Sequence, residues 1–134
     1  MTEERREHQG GCLCGGVRYV VRGELRDVVV CHCSRCRRTH GHVGAYAACA
    51  ASDLVLTEAD SLKWYEADDR GRGFCARCGA SLFWRPAGRD SVSIAAGTLD
   101  EPTGLRTVAQ IFTSDRGDYY EPPREGALFP GPLP

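Results

Sequence analysis

The sequence lacks three features that point to well-known classes of protein. No apolar stretch approaches the length that spans a membrane, and the N-terminal residues are too polar for a secretory signal. The formal net charge is only −1. Because binding to a phosphate backbone requires a strongly basic face, nucleic acid is a poor candidate partner. We therefore expect a protein that stays in the cytoplasm and binds neither membranes nor nucleic acid.

Long helical patterns are also scarce, and short strand patterns dominate. Apolar or alternating runs separated by turn residues occur at residues 17–21, 28–31, 45–50, 54–56, 62–65, 82–84, 92–96 and 108–112. Runs of this length and spacing predict a mainly β protein with mostly antiparallel strands. The one predicted helix follows Cys33, with Ser34 as its cap and Gly41 at its end. It is too short to determine the fold.

Cysteine is the residue that the sequence has in abundance, with eight in the chain. A reducing compartment keeps thiols reduced, so clustered cysteines there indicate metal binding. Cys12 and Cys14 lie in a glycine-rich segment, and Cys75 and Cys78 form a C-x-x-C-G knuckle. Two such pairs can supply one tetrahedral zinc site that joins distant parts of the chain and stabilises the fold. The alternative is that these are ordinary buried cysteines.

A second cluster places Cys31, Cys33 and Cys36 within six residues. This spacing suits the end of a strand that continues into a first helical turn, with all three sulfurs facing one ion. Three protein ligands and an open position are typical of a reactive zinc, so these cysteines are the candidate catalytic residues and we expect two zinc ions per chain. The alternative is a closed site. Its candidate fourth ligands are His32, His40, His42 and Cys49, although Cys49 is more typical of a core residue.

Arg35, Arg37 and Arg38 accompany the second cluster. They can lower the pKa of neighbouring thiols and attract an anionic ligand. Arg37 and Arg38 are the candidates for bidentate binding of a ligand's carboxylates. The alternative is that they are solvated helix residues. No general base is evident, and His32 and His40 are candidates only because they are close in sequence.

Four motifs in a fixed order carry a resemblance to a known family. They are GCLCGGVRY at residues 11–19, CHCSRCR at 31–37, FCARCGA at 74–80 and AGTLD at 96–100. Over about residues 8–120 the chain resembles the glutathione-dependent formaldehyde-activating enzyme family, which includes centromere protein V. Two segments depart from the family pattern. Gln110-Ile111-Phe112 stands where His-Ile-Phe or His-Ile-Trp is common, and Asp118-Tyr119 stands where Pro-Trp is frequent.

The resemblance implies a fold and a partition of the cysteines. The fold is a β-tent of antiparallel sheets built around zinc sites. The implied structural zinc is held by Cys12, Cys14, Cys75 and Cys78, and the implied second zinc by Cys31, Cys33 and Cys36. We predict a single zinc-binding β-tent domain over residues 1–120. Five of the seven prolines follow it in residues 121–134, which we predict to be a Pro-rich tail that adds little stability.

The resemblance also implies an activity for the family's namesake, a carbon–sulfur lyase-type reaction that joins glutathione to formaldehyde as S-hydroxymethylglutathione. We therefore expect a zinc-dependent enzyme or carrier that acts on glutathione or another small thiol and its aldehyde adduct. The alternative is a non-catalytic zinc scaffold or a module that binds a protein partner. Nothing in the sequence indicates an oligomeric state.

Overall fold

A computed structural model describes residues 7–67 and 70–134. The first six residues of the predicted domain lie outside this part of the chain, and so do Asp68 and Asp69. The strands are β1 (Glu7–Gly11), β2 (Arg18–Arg22), β3 (Arg26–Cys31), β4 (Gly44–Ala50), β5 (Leu54–Glu58), β6 (Leu62–Ala67), β7 (Arg70–Cys75), β8 (Ser81–Arg85), β9 (Ser91–Ala95), β10 (Thr107–Ile111) and β11 (Ala127–Leu128). The α-helix is α1 (Ser34–His40). Short 3₁₀ turns occur at Ala51–Asp53, Ala96–Thr98 and Thr113–Asp115.

The strands form two sheets. The smaller sheet has three strands in the order β1-β2-β5, and the larger has eight in the order β11-β10-β3-β4-β9-β8-β7-β6. All neighbours are antiparallel except for the two pairs that involve β10, which runs parallel to β3 and to β11. The prediction of a mainly β fold with mostly antiparallel sheets is confirmed.

The hydrophobic core contains side chains from both sheets. Its buried members are Val17, Tyr19, Val21, Ala47, Cys49, Cys75, Leu82, Phe83, Val92, Ile94 and Leu99. Tyr19 of β2 meets Phe83 of β8 edge to face, with ring centroids 5.3 Å apart, a geometry that aromatic pairs prefer. Cys49 lies in this core, as predicted. Cys75 also lies there, so one of the two cysteine clusters is built into the core itself.

The AGTLD segment connects the two sheets. The Tyr19 hydroxyl lies 2.7 Å from Thr98 Oγ1, and Thr98 in turn donates to the Ala95 carbonyl at 2.7 Å. Two residues further on, Asp100 accepts a hydrogen bond from Arg18 at 2.7 Å. Because these partners belong to strands of different sheets, the motif keeps β2 close to the end of β9.

The helix α1 confirms the prediction of a short helix between Cys33 and Gly41, but the predicted cap is wrong. Cys33, not Ser34, is the N-cap, and its sulfur accepts a hydrogen bond from the backbone of Cys36 at 3.4 Å. Gly41 ends the helix with φ of +79°, in the left-handed region that glycine tolerates best. The helix therefore begins inside the second cysteine cluster.

Residues 127–131 of the predicted tail run along β10 and the residues that follow it. The N–H groups of Phe112 and Thr113 donate to the carbonyls of Gly131 at 2.9 Å and Phe129 at 3.2 Å, and Phe129 donates to the Gln110 carbonyl at 2.9 Å. The division into a domain and a tail stays a prediction, but these bonds join the tail to the larger sheet. No helix in the described ranges is both long and apolar enough to cross a membrane.

Candidate metal centres

The first cluster brings four sulfurs together. The Sγ atoms of Cys12, Cys14, Cys75 and Cys78 all lie within 4.8 Å of one another. Cys14 Sγ is 3.7 Å from Cys12 Sγ and 3.6 Å from Cys75 Sγ. Sulfurs at the corners of a tetrahedron, each about 2.3 Å from a zinc ion, would be roughly 3.8 Å apart. The four thiols are free, and their arrangement fits a tetrahedral metal ion.

Tight turns position both pairs of this cluster. In the first, Val17 donates its N–H to Cys12 Sγ at 3.3 Å, and Cys12 donates to the Val17 carbonyl at 3.1 Å. Gly15, inside this turn, has φ of +85°. In the second, the Gly79 N–H donates to the Cys75 carbonyl at 2.8 Å, and Gly79 has φ of +76°. Both glycines occupy the left-handed region, which residues with a Cβ rarely adopt.

Ser61 joins the two turns and was not recognised from the sequence. Its N–H donates to the Gly16 carbonyl at 3.2 Å, and its carbonyl accepts from the Ala76 N–H at 2.7 Å. Its hydroxyl lies 3.1 Å from Cys75 Sγ. This hydrogen bond is the largest cause that lowers the pKa of Cys75 to about 5. Ser61 is buried. Its backbone aligns the two turns, and its hydroxyl favours the thiolate that a metal needs.

The second cluster brings three sulfurs together at the start of α1. The Sγ atoms of Cys31, Cys33 and Cys36 lie within 4.8 Å of one another. Cys31 ends β3, Cys33 caps the helix, and Cys36 lies in its first turn. Hydrogen bonds from the thiols of Cys31 and Cys36 lower the pKa of Cys33 well below its usual range. The arrangement offers three sulfur donors to one metal ion.

His32 does not complete this cluster, because both of its ring nitrogens have other partners. Nε2 lies 2.7 Å from Gln110 Oε1, and Nδ1 is hydrogen-bonded to the Tyr120 hydroxyl. The side chain is also buried. As a fourth ligand it would have to break one of these bonds.

The other candidate fourth ligands also lie elsewhere. His40 Nε2 is 2.5 Å from the Tyr46 hydroxyl, and His42 Nδ1 is 2.6 Å from the Tyr119 hydroxyl. Cys49 is a core residue. Within residues 7–67 and 70–134, no further histidine, cysteine or carboxylate joins the three sulfurs.

A cavity of about 630 Å³ opens beside the second cluster. Ser34 and Arg35 line it, and in the chain they lie between two of the clustered cysteines, Cys33 and Cys36. Four arginines contribute to the walls: Arg35, Arg38, Arg70 and Arg72. The rings of Tyr46 and Phe74 also line it. Cavities of this size hold small organic ligands, and the arginines favour an anionic one.

The structure separates the two arginines that the sequence grouped as ligand-binding candidates. Arg38 lines the cavity together with Arg35, one helical turn away on the same face of α1. Arg37 is not among the lining residues, and its Nε is buried without a hydrogen-bond partner. The sequence grouped Arg35 with the arginines that can lower thiol pKa values and attract an anion, whereas Arg72 was not singled out. Arg72 lies between Gly71 and Gly73, in a stretch that carries no recognisable motif.

Arg72, Tyr46 and His40 form a hydrogen-bonded chain at the cavity wall. Arg72 Nη1 donates to the Tyr46 hydroxyl at 3.4 Å. Burial raises the pKa of Tyr46 to about 12, so the hydroxyl keeps its proton. Burial, followed by the charge of Arg72, lowers the pKa of His40. A neutral His40 can accept a hydrogen bond from the Tyr46 hydroxyl at Nε2, so this ring nitrogen already has a partner.

Comparison with known proteins gives two similarities. The family described as glutathione-dependent formaldehyde-activating enzyme matches residues 7–115. A crystal structure of a Rhodobacter sphaeroides protein is 27% identical to this chain, with a TM-score of 0.60, and the similarity covers 72% of this chain and 91% of that chain. Both cysteine clusters lie inside the residues that the family matches. Because the match covers most of the sequence, the chain belongs to the glutathione-dependent formaldehyde-activating enzyme family.

Proposed function

We propose that this protein is a zinc-dependent enzyme or carrier of the carbon–sulfur lyase type, acting on glutathione or another small thiol and its aldehyde adduct. The family relates the chain to glutathione-dependent activation of formaldehyde. The observation that carries the proposal is the cluster of Cys31, Cys33 and Cys36, which has three sulfurs, no fourth ligand in the described ranges and an arginine-lined cavity beside it. Since glutathione belongs to reducing compartments, we also propose a cytoplasmic location.

The proposed reaction is an addition that needs no oxidant or reductant. The thiol sulfur forms a bond to the aldehyde carbon, the carbonyl electron pair moves to oxygen, and oxygen takes the proton that the thiol gives up. The reverse reaction breaks the same carbon–sulfur bond. A zinc ion held by the three cysteines would keep a bound thiol deprotonated near neutral pH.

The cavity supplies the groups that glutathione requires. Glutathione carries two carboxylates, and a guanidinium binds a carboxylate through two parallel hydrogen bonds. Arg35 and Arg38 project from α1, and Arg72 projects from β7 on another wall. Cations on separate walls can hold the two ends of an extended ligand, while the helix that carries Arg35 also carries Cys36. The thiol and the carboxylates can therefore be oriented by neighbouring residues of one helix.

Calorimetric titration of the zinc-loaded protein tests this assignment. We expect glutathione to bind at least about tenfold more tightly than S-methylglutathione, which has the same carboxylates but no free thiol, because one charge-assisted contact contributes about 1.5–3 kcal/mol. Arg38→Gln should weaken glutathione binding by about tenfold, and Arg37→Gln, a matched loss of charge outside the cavity, should weaken it less. Equal affinity for the two ligands would contradict a site that recognises the thiol.

Exchange spectroscopy separates an enzyme from a carrier. In a mixture of ¹³C-formaldehyde and glutathione, an enzyme should accelerate the exchange between free aldehyde and adduct at catalytic concentration. A carrier should bind the adduct without accelerating exchange. If the zinc-loaded protein binds neither glutathione nor the adduct, the scaffold alternative replaces this proposal.

A further inference from the structure

His32, which lies between the first two cysteines of the second cluster, is hydrogen-bonded to the C-terminal part of the chain. Its N–H donates to the Ile111 carbonyl at 3.0 Å. Its Nε2 lies 2.7 Å from Gln110 Oε1, and its Nδ1 is hydrogen-bonded to the Tyr120 hydroxyl. The residue is only 1% exposed. The backbone between two candidate ligands is thus fixed by residues that are about eighty positions away in sequence.

The backbone carbonyl of Glu125 determines which group donates in each of the hydrogen bonds that link Gln110, His32 and Tyr120. Gln110 Nε2 lies 3.1 Å from the carbonyl oxygen of Glu125, which can only accept. The Gln110 amide must therefore place its NH₂ towards Glu125 and its oxygen towards His32. Since that oxygen only accepts, His32 Nε2 carries a hydrogen. In a neutral imidazole Nδ1 is then unprotonated, and the Tyr120 hydroxyl donates to it.

The segment that supplies the Glu125 carbonyl is itself attached to β10. Phe129 donates to the Gln110 carbonyl at 2.9 Å, and Phe112 donates to the Gly131 carbonyl at 2.9 Å. Phe112 is the only described non-glycine residue with positive φ, at +53°. Such backbone conformations persist where the surrounding contacts impose them. The Pro-rich tail therefore helps to hold the end of β10 beside His32.

The Tyr120 hydroxyl keeps its proton. Burial is the main cause that raises the pKa of Tyr120, the neighbouring Tyr119 adds to it, and the charges of Arg116 and Arg37 act in the opposite direction. The hydroxyl therefore directs its proton to His32 Nδ1.

We propose that Gln110 is a positioning residue for the second cysteine cluster: anchored by the Glu125 carbonyl, it fixes the tautomer of His32, which holds the backbone between Cys31 and Cys33 and orients Tyr120. The metal-binding part of this inference rests on the proposed function, while the tautomer does not. In this arrangement the tail anchors Gln110, a residue that departs from the family pattern, and Gln110 holds His32.

Nitrogen NMR of histidine-labelled protein at neutral pH tests the tautomer directly. We expect His32 to be protonated at Nε2 and bare at Nδ1. Gln110→Met keeps the side-chain length but removes both amide hydrogen bonds, and it should give a mixture of tautomers. Gln110→Glu should keep the Nε2–H form, because a carboxylate can only accept from it. A His32 tautomer that is the same in the Met variant as in the unmodified protein would overturn the inference.

Cobalt titration of the metal-free protein tests the positioning of the cluster. Gln110→Met and Tyr120→Phe should weaken the cobalt site of the second cluster by about tenfold, a usual effect of losing an outer hydrogen bond, and should leave the first site unchanged. Tyr119→Phe is the control, since it removes a neighbouring hydroxyl that contacts His42 instead. Unchanged cobalt affinity in both test variants would overturn the positioning role.

The two readouts distinguish failure of this inference from failure of the proposed function. If the unmodified protein binds only one cobalt ion, the proposed second metal site fails, and the NMR result alone supports or overturns the inference. If Gln110→Met does not fold, Tyr120→Phe carries the test, because it removes one hydroxyl and keeps the ring. Because Gln110 is intact in that variant, retention of the Nε2–H form together with weaker cobalt binding supports the inference. Loss of the Nε2–H form, or unchanged cobalt affinity, contradicts it.

Discussion

The two cysteine clusters differ in how much of the chain each one joins. The first connects the turn before β2 with the turn after β7, and its Cys75 is fully buried in the hydrophobic core. The second lies within six residues, beside a cavity. Metal binding at the first cluster would therefore stabilise the fold, whereas metal binding at the second would order one helical turn. The same ligand type can therefore serve stability or chemistry, depending on which parts of the chain it connects.

The two clusters also differ in which residues support them. Ser61 binds both turns of the first cluster through its backbone and its hydroxyl. The second cluster is held by His32, whose partners come from β10 and the residues after it. The first cluster is thus supported by its immediate neighbours and the second by a remote segment. Four changes to the chain test this difference between the clusters.

The largest expected effect is that of Cys75→Ser. Zinc contributes roughly 10–16 kcal/mol to the folding of small zinc domains, which exceeds or matches the whole stability of a typical domain, about 5–15 kcal/mol. We expect this variant to be largely unfolded by circular dichroism. Cys49→Ser is the matched control, since Cys49 is a buried core cysteine outside both clusters. It should stay folded, and its free energy of unfolding should fall by about 1–3 kcal/mol because a hydroxyl is buried.

Removal of the C-terminal segment should have the next largest effect. The sequence alone predicts that a chain ending at Tyr120 has a nearly unchanged thermal midpoint. The structure predicts that the free energy of unfolding falls by roughly 2–5 kcal/mol. Several backbone hydrogen bonds to β10 disappear, and each contributes about 0.5–1.5 kcal/mol. A chain that ends at Pro132 keeps those bonds and is the control. Equal midpoints for the two chains would show that the tail contacts do not matter.

Cys36→Ser should have a smaller effect on stability and a selective effect on metal. The side chain belongs to a local turn, so we expect the variant to keep its β-rich circular dichroism and lose about 1–2 kcal/mol. Elemental analysis should find one zinc ion per chain instead of two. Thiol binding should be lost at the same time. Unfolding as complete as that of Cys75→Ser would make the second cluster a structural site.

Ser61→Ala should have the smallest effect, and it should depend on pH. The Ser61 hydrogen bond is the main cause of the low pKa of Cys75, about 5, so its loss raises that pKa. A depressed thiol pKa favours metal binding until the pH falls through it, so the variant should release the first metal at a higher pH than the unmodified protein. The shift should be about one pH unit or less. Acid titration with a zinc indicator measures it, and release from the second cluster is the internal control.

The sequence predicted the strands whose residues alternate between apolar and polar or are continuously apolar. It missed strands whose residues are determined by packing against other strands. β7 was missed because Gly71 and Gly73 leave it with neither an apolar run nor an alternating pattern. In the structure a Cβ on Gly73 would meet Phe83 at 3.0 Å and Trp64 at 3.2 Å. These glycines make room for large rings on neighbouring strands, and that requirement cannot be seen before the strands are paired. The two-residue strand β11 was missed because its proline-rich surroundings indicated a tail.

Part of the candidate sites could likewise be predicted from the sequence, and part could not. The spacing of the cysteines predicted both groups of sulfurs, because ligand spacing is a local property of the chain. Ser61 and Gln110 could not be assigned in advance, since a serine in a turn and a glutamine in a strand have many roles. The sequence did mark Gln110 as a departure from the family pattern. Only the fold, which places it against His32, gives it a partner.

Cadmium-113 NMR during a glutathione titration tests the central contrast most directly. Cadmium replaces zinc at thiolate sites, and each site gives its own resonance. We predict two resonances in the unmodified protein, of which glutathione shifts only one, and we predict that Cys36→Ser loses that same resonance and keeps the other. A glutathione-induced shift of the resonance that survives in Cys36→Ser, or of neither resonance, would contradict the division into a site for stability and a site for chemistry.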